Sequence, residues 1–257
     1  MEFVVISIAA VLASLLTFFS GFGLGTILMP VFAIFFPVEV AITLTGVVHL
    51  LNNLFKMTIV GKQATWRVVF KFGVPAIVGA FIGAWLLMYF SGTTEWVVYT
   101  IGERQCTITP VKVVVASLMF GFAVLELLPF YKKLEFSENK LFVGGAISGF
   151  FGGLSGHQGA LRSAFLIKCG LSKESFIATG VIIASVVDIS RISVYLTKYS
   201  KIGLEENLPI LLTAVAAAFI GAFVGKRLLK KITIGAVHIT VSVMIMVLAI
   251  LLGAGII

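Results

Sequence analysis

The sequence contains few charged residues. Asp, Glu, Lys and Arg make up 12% of its 257 residues, whereas a soluble domain carries roughly 25%. Apolar residues make up 60% of the chain, and the mean hydropathy is +1.14. Several apolar runs reach the roughly 20 residues that a helix needs to cross the hydrocarbon core, without the alternating pattern of a membrane barrel. These features predict an all-α polytopic membrane protein.

Motifs for several kinds of chemistry are missing. The sequence has no Gly-x-x-x-x-Gly-Lys-Ser/Thr for ATP hydrolysis, no Cys-x-x-Cys and no zinc-ligand spacing among its histidines, so no cofactor or metal is expected. Ser155 and His157 are the only candidates for a nucleophile with a base, and closeness in sequence is not a catalytic geometry. We therefore do not expect an enzyme. The first apolar run lacks a basic segment and a cleavage site, and we interpret it as part of the mature fold.

The net charge of +8 is carried mainly by short loops between apolar runs. In a membrane protein, Lys and Arg in such loops report orientation, because they favour the cytoplasmic side. We therefore expect the lipid bilayer, and no nucleic acid, as the partner of these basic residues.

The chain contains an internal repeat. Residues 80–84 and 218–222 both read AFIGA, an offset of 138, and residues 45–46 and 179–180 both read TG, an offset of 134. Such self-similarity predicts two homologous halves. We place the first membrane repeat at residues 1–131 and the second at 132–257, within a single integral membrane domain.

Each half is predicted to contain a Gly-broken segment followed by three transmembrane helices. If each broken segment is a hairpin of two short half-helices that enters and leaves on one side, the halves are inverted and all three basic clusters share one face. If it crosses once, the halves are parallel and both faces are basic. The positive-inside rule favours the inverted arrangement, with both termini outside. The broken segments are residues 3–36 and 141–168, and the helices are 38–60, 68–90, 111–131, 175–197, 208–225 and 232–257.

The two breaks are rich in glycine. Inverted repeats with broken helices are typical of secondary transporters, which bind substrate near the midplane. A helix N-terminus offers N–H groups without partners and a partial positive charge, and glycine allows a ligand to approach closely, so the breaks suit an anion. The first break comprises Gly21, Gly23, Gly25 and Thr26, and the second comprises Ser155, Gly156, His157, Gln158 and Gly159.

Glycine can also serve helix packing, because small residues let membrane helices approach closely. We favour this interpretation for the isolated glycines, which follow a Gly-x-x-x-Gly spacing. They are Gly79, Gly83, Gly221 and Gly225.

Arg162 lies one turn beyond the second break, inside an apolar run. An unpaired charge costs several kcal/mol at this depth, so Arg162 needs a carboxylate or an anionic ligand as its partner. Asn52 and Asn53 share a helix face with Lys56 and are predicted hydrogen-bond partners of the anion. Lys56 either belongs to this face functionally or extends to the membrane surface.

Asp188 and Arg191 are three residues apart in the second half, at a spacing that allows them to pair. Alternatively, Asp188 is the partner of Arg162, or a coupling residue for a proton or sodium ion. Both alternatives stay open from the sequence. We group Asp188, Arg191 and His49 as candidate coupling residues.

The segment GFGLGTILMP at residues 21–30, followed half a chain later by GGLSG at residues 152–156, resembles the TauE/SafE family of membrane permeases, the sulfite or sulfonate exporters. The resemblance covers nearly the whole chain. It implies a multi-pass transporter of sulfur-containing anions in a bacterial inner membrane, without ATP. The family's second motif continues with glycines and a proline, whereas this chain reads HQGALRSAF, so His157, Gln158 and Arg162 replace bare backbone.

Together these features predict a secondary transporter of small anions, such as sulfite, sulfonates or related organic anions. Transport would proceed by alternating access at a midplane site formed by the breaks. The alternatives are a passive anion channel and a membrane subunit of a partner complex. A homodimer is one open arrangement.

Overall fold

The computed structural model describes residues 1–20, 24–92, 95–128, 136–199, 206–228 and 234–257. Gly21, Gly23 and the predicted boundary between the two halves lie outside these ranges. The described ranges contain ten α-helices, and most of these begin and end where the apolar runs do. They are α1 (Glu2–Ser20), α2 (Leu24–Ala33), α3 (Val38–Val60), α4 (Trp66–Phe90), α5 (Pro110–Leu127), α6 (Leu141–Ser155), α7 (Gly159–Leu166), α8 (Lys173–Tyr199), α9 (Leu208–Leu228) and α10 (Ile234–Gly253).

Five of the described helices, α3, α4, α5, α8 and α9, are long and apolar enough to cross a membrane. This confirms the prediction of a polytopic helical membrane protein. The sixth predicted crossing corresponds to α10. Helices α3 and α8 contact each other and are the most deeply buried of the five, so their side chains line the interior of the molecule.

A β-hairpin that was not predicted from the sequence follows α4. Its strands are β1 (Val97–Ile101) and β2 (Arg104–Ile108), paired antiparallel around a turn at Gly102, whose φ is +60°. β-branched residues favour strands, and glycine adopts positive φ without strain. The Tyr99 hydroxyl donates to the Ala254 carbonyl at 2.5 Å, so the hairpin packs against the C-terminal end of α10.

Both Gly-broken segments form a longer helix followed by a shorter one. The first pair has 19 and 10 residues, and the second has 15 and 8. With a rise of 1.5 Å per residue, α1 is about 28 Å long, which is nearly a full membrane crossing. Two helices on either side of a break are thus found in both segments, and their arrangement as hairpins that enter and leave on one side stays a prediction. Helix α6 ends at Gly156, whose φ of +82° is a left-handed cap that only glycine adopts easily.

Helix α4 packs along α6 through direct contact between their backbones. A Cβ built on Gly149 of α6 would lie 2.0 Å from the Ala76 carbonyl oxygen of α4. In the same way, a Cβ built on Gly83 of α4 would lie 2.0 Å from the Phe150 carbonyl oxygen of α6. Helix α9 packs along α1 in the same manner, where a Cβ on Gly221 would lie 2.3 Å from the Val11 carbonyl oxygen. These glycines are required for close helix packing, as predicted for Gly83 and Gly221.

Candidate functional site

Asp188 on α8 is fully buried and joins three separate parts of the chain. Its Oδ2 accepts a hydrogen bond from Nδ1 of His49 on α3 at 2.6 Å, and Asn53 Nδ2 lies 3.5 Å from the same oxygen. Its Oδ1 accepts from Arg191 Nε at 2.9 Å and from Gln158 Nε2 at 3.2 Å. A single carboxylate therefore links α3, α8 and the second break.

Arg162 reaches this carboxylate only through an intermediate. Its Nη1 donates to Gln158 Oε1 at 3.2 Å, and the Gln158 amide donates in turn to Asp188. Within the described ranges, no carboxylate oxygen lies within 4.0 Å of the Arg162 guanidinium. Of the alternatives that the sequence left open, the direct Asp188–Arg191 pair is the one that forms.

Asn52 lies beside a second buried cation. Its side chain is 3.2 Å from Ser14 Oγ on α1. One orientation of the Asn52 amide gives hydrogen bonds to both its oxygen and its nitrogen, and in that orientation the oxygen accepts from Lys56 Nζ at 3.2 Å. The amide nitrogen then donates to the Ala218 carbonyl on α9 at 3.3 Å. Lys56 is 5% exposed, so it does not extend to the membrane surface.

These side chains form one group, which we call the polar cluster. Its ionisable side chains are unbalanced, because Lys56, Arg162 and Arg191 are basic and Asp188 is its only carboxylate among the described residues. Removing a charge from water costs several kcal/mol unless a partner neutralises it. The cluster therefore carries an excess of buried positive charge. Its members are His49, Asn52, Asn53, Lys56, Gln158, Arg162, Asp188 and Arg191.

His157 lies on the other side of the second break, and within the described ranges it makes no hydrogen bond to a charged member of the polar cluster. Its ring stacks on Phe122 of α5, with ring centroids 5.9 Å apart and planes 5° from parallel. Its Nδ1 lies 3.0 Å from the Ser155 carbonyl, so Nδ1 must carry the proton and donate. Ser155 Oγ donates to the Phe151 carbonyl at 3.1 Å and lies 3.2 Å from the same His157 Nδ1.

The two breaks meet in space. A Cβ built on Gly25, at the N-terminus of α2, would lie 3.8 Å from the Gly156 carbonyl oxygen and 3.4 Å from Cγ2 of Thr45 on α3. Thr26 is buried within α2, and Gly159 begins α7. The described part of the predicted glycine site is therefore brought together around these breaks.

The duplicated Thr-Gly pair marks positions that contact the two arginines. A Cβ built on Gly46 would lie 3.3 Å from Arg191 Nη2, and one built on Gly180 would lie 3.5 Å from Arg162 Nε. From the sequence, this pair indicated only how the two halves align, and its contacts with the arginines were not predicted. The signal that could have revealed its role is the recurrence of glycine inside helices, where it is otherwise unfavourable.

Ser14 and Glu126 are among the buried polar residues that were not predicted from the sequence. Ser14 contacts Asn52, as described above, and a serine in an apolar run gave little reason to single it out. Glu126 lies near the end of α5, and its Oε2 has no hydrogen-bond partner within the part of the chain that the structure describes. An ionisable residue inside an apolar helix is itself a signal of function, and Glu126 was overlooked.

Five helices long enough to cross a membrane, with charged side chains buried where α3 meets α8, define a multi-pass membrane protein. The chain matches the model of the sulfite exporter TauE/SafE family over residues 6–252 and belongs to that family. No curated protein shows significant similarity to it. The family assignment confirms the resemblance seen in the Gly-rich motifs, and it indicates a membrane transporter of sulfur anions.

Proposed function

We propose that this protein is a secondary transporter of small anions, with sulfite and sulfonates as its substrate class. The observation that carries the proposal is the excess of positive charge in the polar cluster. Arg162 and Arg191 are at most 9% exposed, and Asp188 is the one carboxylate that the polar cluster offers them among the described residues. A bound anion supplies the missing negative charge and lowers the cost of burying these cations.

The proposed site lies where the two breaks meet, beside α3 and α8. The N-terminus of α2 adds N–H groups and a partial positive charge on one side, and the polar cluster adds cations on the other. Gly21, Gly23, Gly25 and Thr26 belong to the first break in this proposal. The second break contributes Ser155, Gly156, His157, Gln158 and Gly159.

Alternating access follows from the proposal that residues 1–131 and 132–257 are inverted repeats in a bacterial inner membrane. Two contacts support the internal symmetry. Gly83 on α4 packs against the Phe150 carbonyl on α6, and Gly221, at the equivalent repeat position on α9, packs against the Val11 carbonyl on α1. In such architectures the two halves move against each other around a fixed site.

His49, Asp188 and Arg191 are proposed to couple transport to a proton or sodium ion. The 2.6 Å contact between His49 Nδ1 and Asp188 Oδ2 requires a proton between them. An intramembrane histidine and carboxylate in contact are typical members of proton relays. The pair also touches Arg191, so a change in its protonation would alter the electrostatic field at the anion.

Binding of an anion panel to the purified protein tests the proposed function. We expect sulfite or a short sulfonate to raise the unfolding temperature, because a ligand at one hundred times its Kd stabilises the native state by about 2.7 kcal/mol. Arg162→Gln should weaken that binding by about tenfold, because it removes a buried charge. The matched control is Arg67→Gln, which removes a guanidinium that is 69% exposed and pairs with Glu138 at the surface.

Flux into proteoliposomes separates a transporter from the alternatives. A transporter should saturate with anion concentration and respond to a gradient of its coupling ion, whereas a passive channel should do neither. Absence of any anion-dependent stabilisation across the panel, with folded protein, would contradict the proposal.

A further inference from the structure

We infer that Arg191, rather than Arg162, binds the anion directly, in a subsite completed by the Thr45 hydroxyl and the N-terminus of α2. The ligand of this subsite is a small oxyanion with several acceptor oxygens. The inference rests on the proposed function, which it deepens by naming the residues that contact the anion.

The Arg191 guanidinium is 1% exposed. Its Nε donates to Asp188 Oδ1 at 2.9 Å, and its Nη2 lies 2.9 Å from the same oxygen. The Tyr195 side chain also interacts with the guanidinium, whereas Nη1 makes no hydrogen bond to any residue in the described ranges. Arginine carries five N–H donors in a fixed fork, and those on Nη1 are available to an oxyanion here.

Glycines lie beside both terminal nitrogens of Arg191. A Cβ built on Gly156 would lie 3.1 Å from Arg191 Nη1, and one built on Gly46 would lie 3.3 Å from Nη2. Any larger residue at either position would crowd the guanidinium. The guanidinium therefore packs directly against the backbone at both glycines, next to the second break.

Thr45 supplies a second buried donor at the same place. It is 2% exposed, and its Oγ1 has no hydrogen-bond partner among the residues that the structure describes. Its methyl group faces Gly25 at the start of α2, and Gly25 lies beside the Gly156 carbonyl. A buried hydroxyl without a partner is unfavourable, and a bound oxyanion would supply that partner.

The available groups decide the class of ligand. The guanidinium end, the Thr45 hydroxyl and the first N–H groups of α2 can all donate hydrogen bonds. A ligand that satisfies them needs negative charge and oxygens pointing in several directions, as in sulfite or the head of a sulfonate. A cation or an apolar solute would leave these donors without partners.

Arg162 has a different role in this arrangement. Its Nη1 is held by Gln158 Oε1, and Gln158 in turn donates to Asp188. Arg162 therefore positions the carboxylate that fixes Arg191, and it adds positive charge at a distance. A lysine in its place keeps the charge and can still donate to Gln158.

The test compares conservative variants of the full-length protein by calorimetric titration with sulfite. We expect Arg191→Lys to weaken binding by about 10- to 100-fold, because one ammonium cannot serve both Asp188 and the anion in forked geometry. Arg162→Lys should change the affinity by about threefold or less, because its charge is retained. An Arg191→Lys affinity within twofold of the parent protein would overturn the inference while leaving the proposed function in place.

Thr45→Val decides the question if Arg191→Lys does not fold. Valine has the same shape as threonine and removes a buried hydroxyl without a partner, so we expect the unfolding temperature without anion to be unchanged or higher. Because the anion loses one hydrogen-bond donor, we expect sulfite to bind about tenfold more weakly. Thr43→Val is the matched control on α3, where the hydroxyl donates to the Glu39 carbonyl at 2.8 Å, and it should leave binding unchanged. Unchanged binding in Thr45→Val would overturn the subsite. Failure of the parent protein to bind any anion would instead contradict the proposed function.

Discussion

Replacing Asp188 with asparagine is expected to abolish coupled transport and to lower the free energy of unfolding by about 3–5 kcal/mol. Asparagine keeps the shape of the side chain but removes the only carboxylate of the polar cluster. The hydrogen bonds from His49 and Arg191 then lose their charged acceptor, and the cations of the cluster repel one another without compensation. Breaking a buried pair by removing one partner is costly because the other charge stays buried.

Sulfite should restore part of this lost stability, because it neutralises the same cations. Thermal unfolding of Asp188→Asn with and without sulfite measures the restoration, and flux into proteoliposomes under a pH gradient measures the transport. Glu138→Gln is the matched control, since Glu138 also faces two cations, Arg67 at 3.0 Å and Lys71 at 3.4 Å, but is 35% exposed. Solvent-exposed ion pairs contribute only about 0–1 kcal/mol to the free energy of unfolding. An Asp188→Asn protein as stable and as active as the parent would refute the central role of this carboxylate.

The membrane helices could be predicted from the sequence because their signal is local. An apolar run longer than the bilayer thickness allows few other structures, and α3 begins and ends at the residues predicted for it. The breaks were also local features, since glycine at 156 adopts a positive φ that other residues avoid. The β-hairpin was missed because its strands are stabilised partly by contact with residues 254–255, which lie about 150 positions further along the chain.

The partners within the site could not be predicted, because they depend on how helices rotate about their axes. His157 and Gln158 are adjacent in the sequence, yet one faces Phe122 and the other faces Asp188. The left-handed turn at Gly156 sends the chain in a new direction, and no periodicity extends across it. Arg162 was assigned to the anion site because it follows a break, whereas Arg191 was grouped with Asp188, three residues away, as a candidate coupling residue.

Substituting alanine at Gly83 or Gly221 is expected to destabilise the fold severely. The added Cβ would lie 2.0 Å from a carbonyl oxygen of α6 in the first case and 2.3 Å from one of α1 in the second. Backbone atoms cannot move aside as a flexible side chain can, so each helix pair must separate. Overpacking a well-packed interior costs about 1–3 kcal/mol even where side chains adjust, and we expect at least the upper end of that range here.

Gly121→Ala on α5 is the matched control, because nothing lies within 4 Å of a Cβ built there. Alanine favours helix over glycine by about 1 kcal/mol, so this variant should be as stable as the parent or slightly more stable. Thermal unfolding in one detergent compares the three variants. Because Gly83 and Gly221 occupy equivalent positions of the proposed repeats, their losses should be similar in size. A large loss at one position and none at the other would mean that α4 with α6 and α9 with α1 are not equivalent pairs, and the proposal of two related halves would lose its structural support.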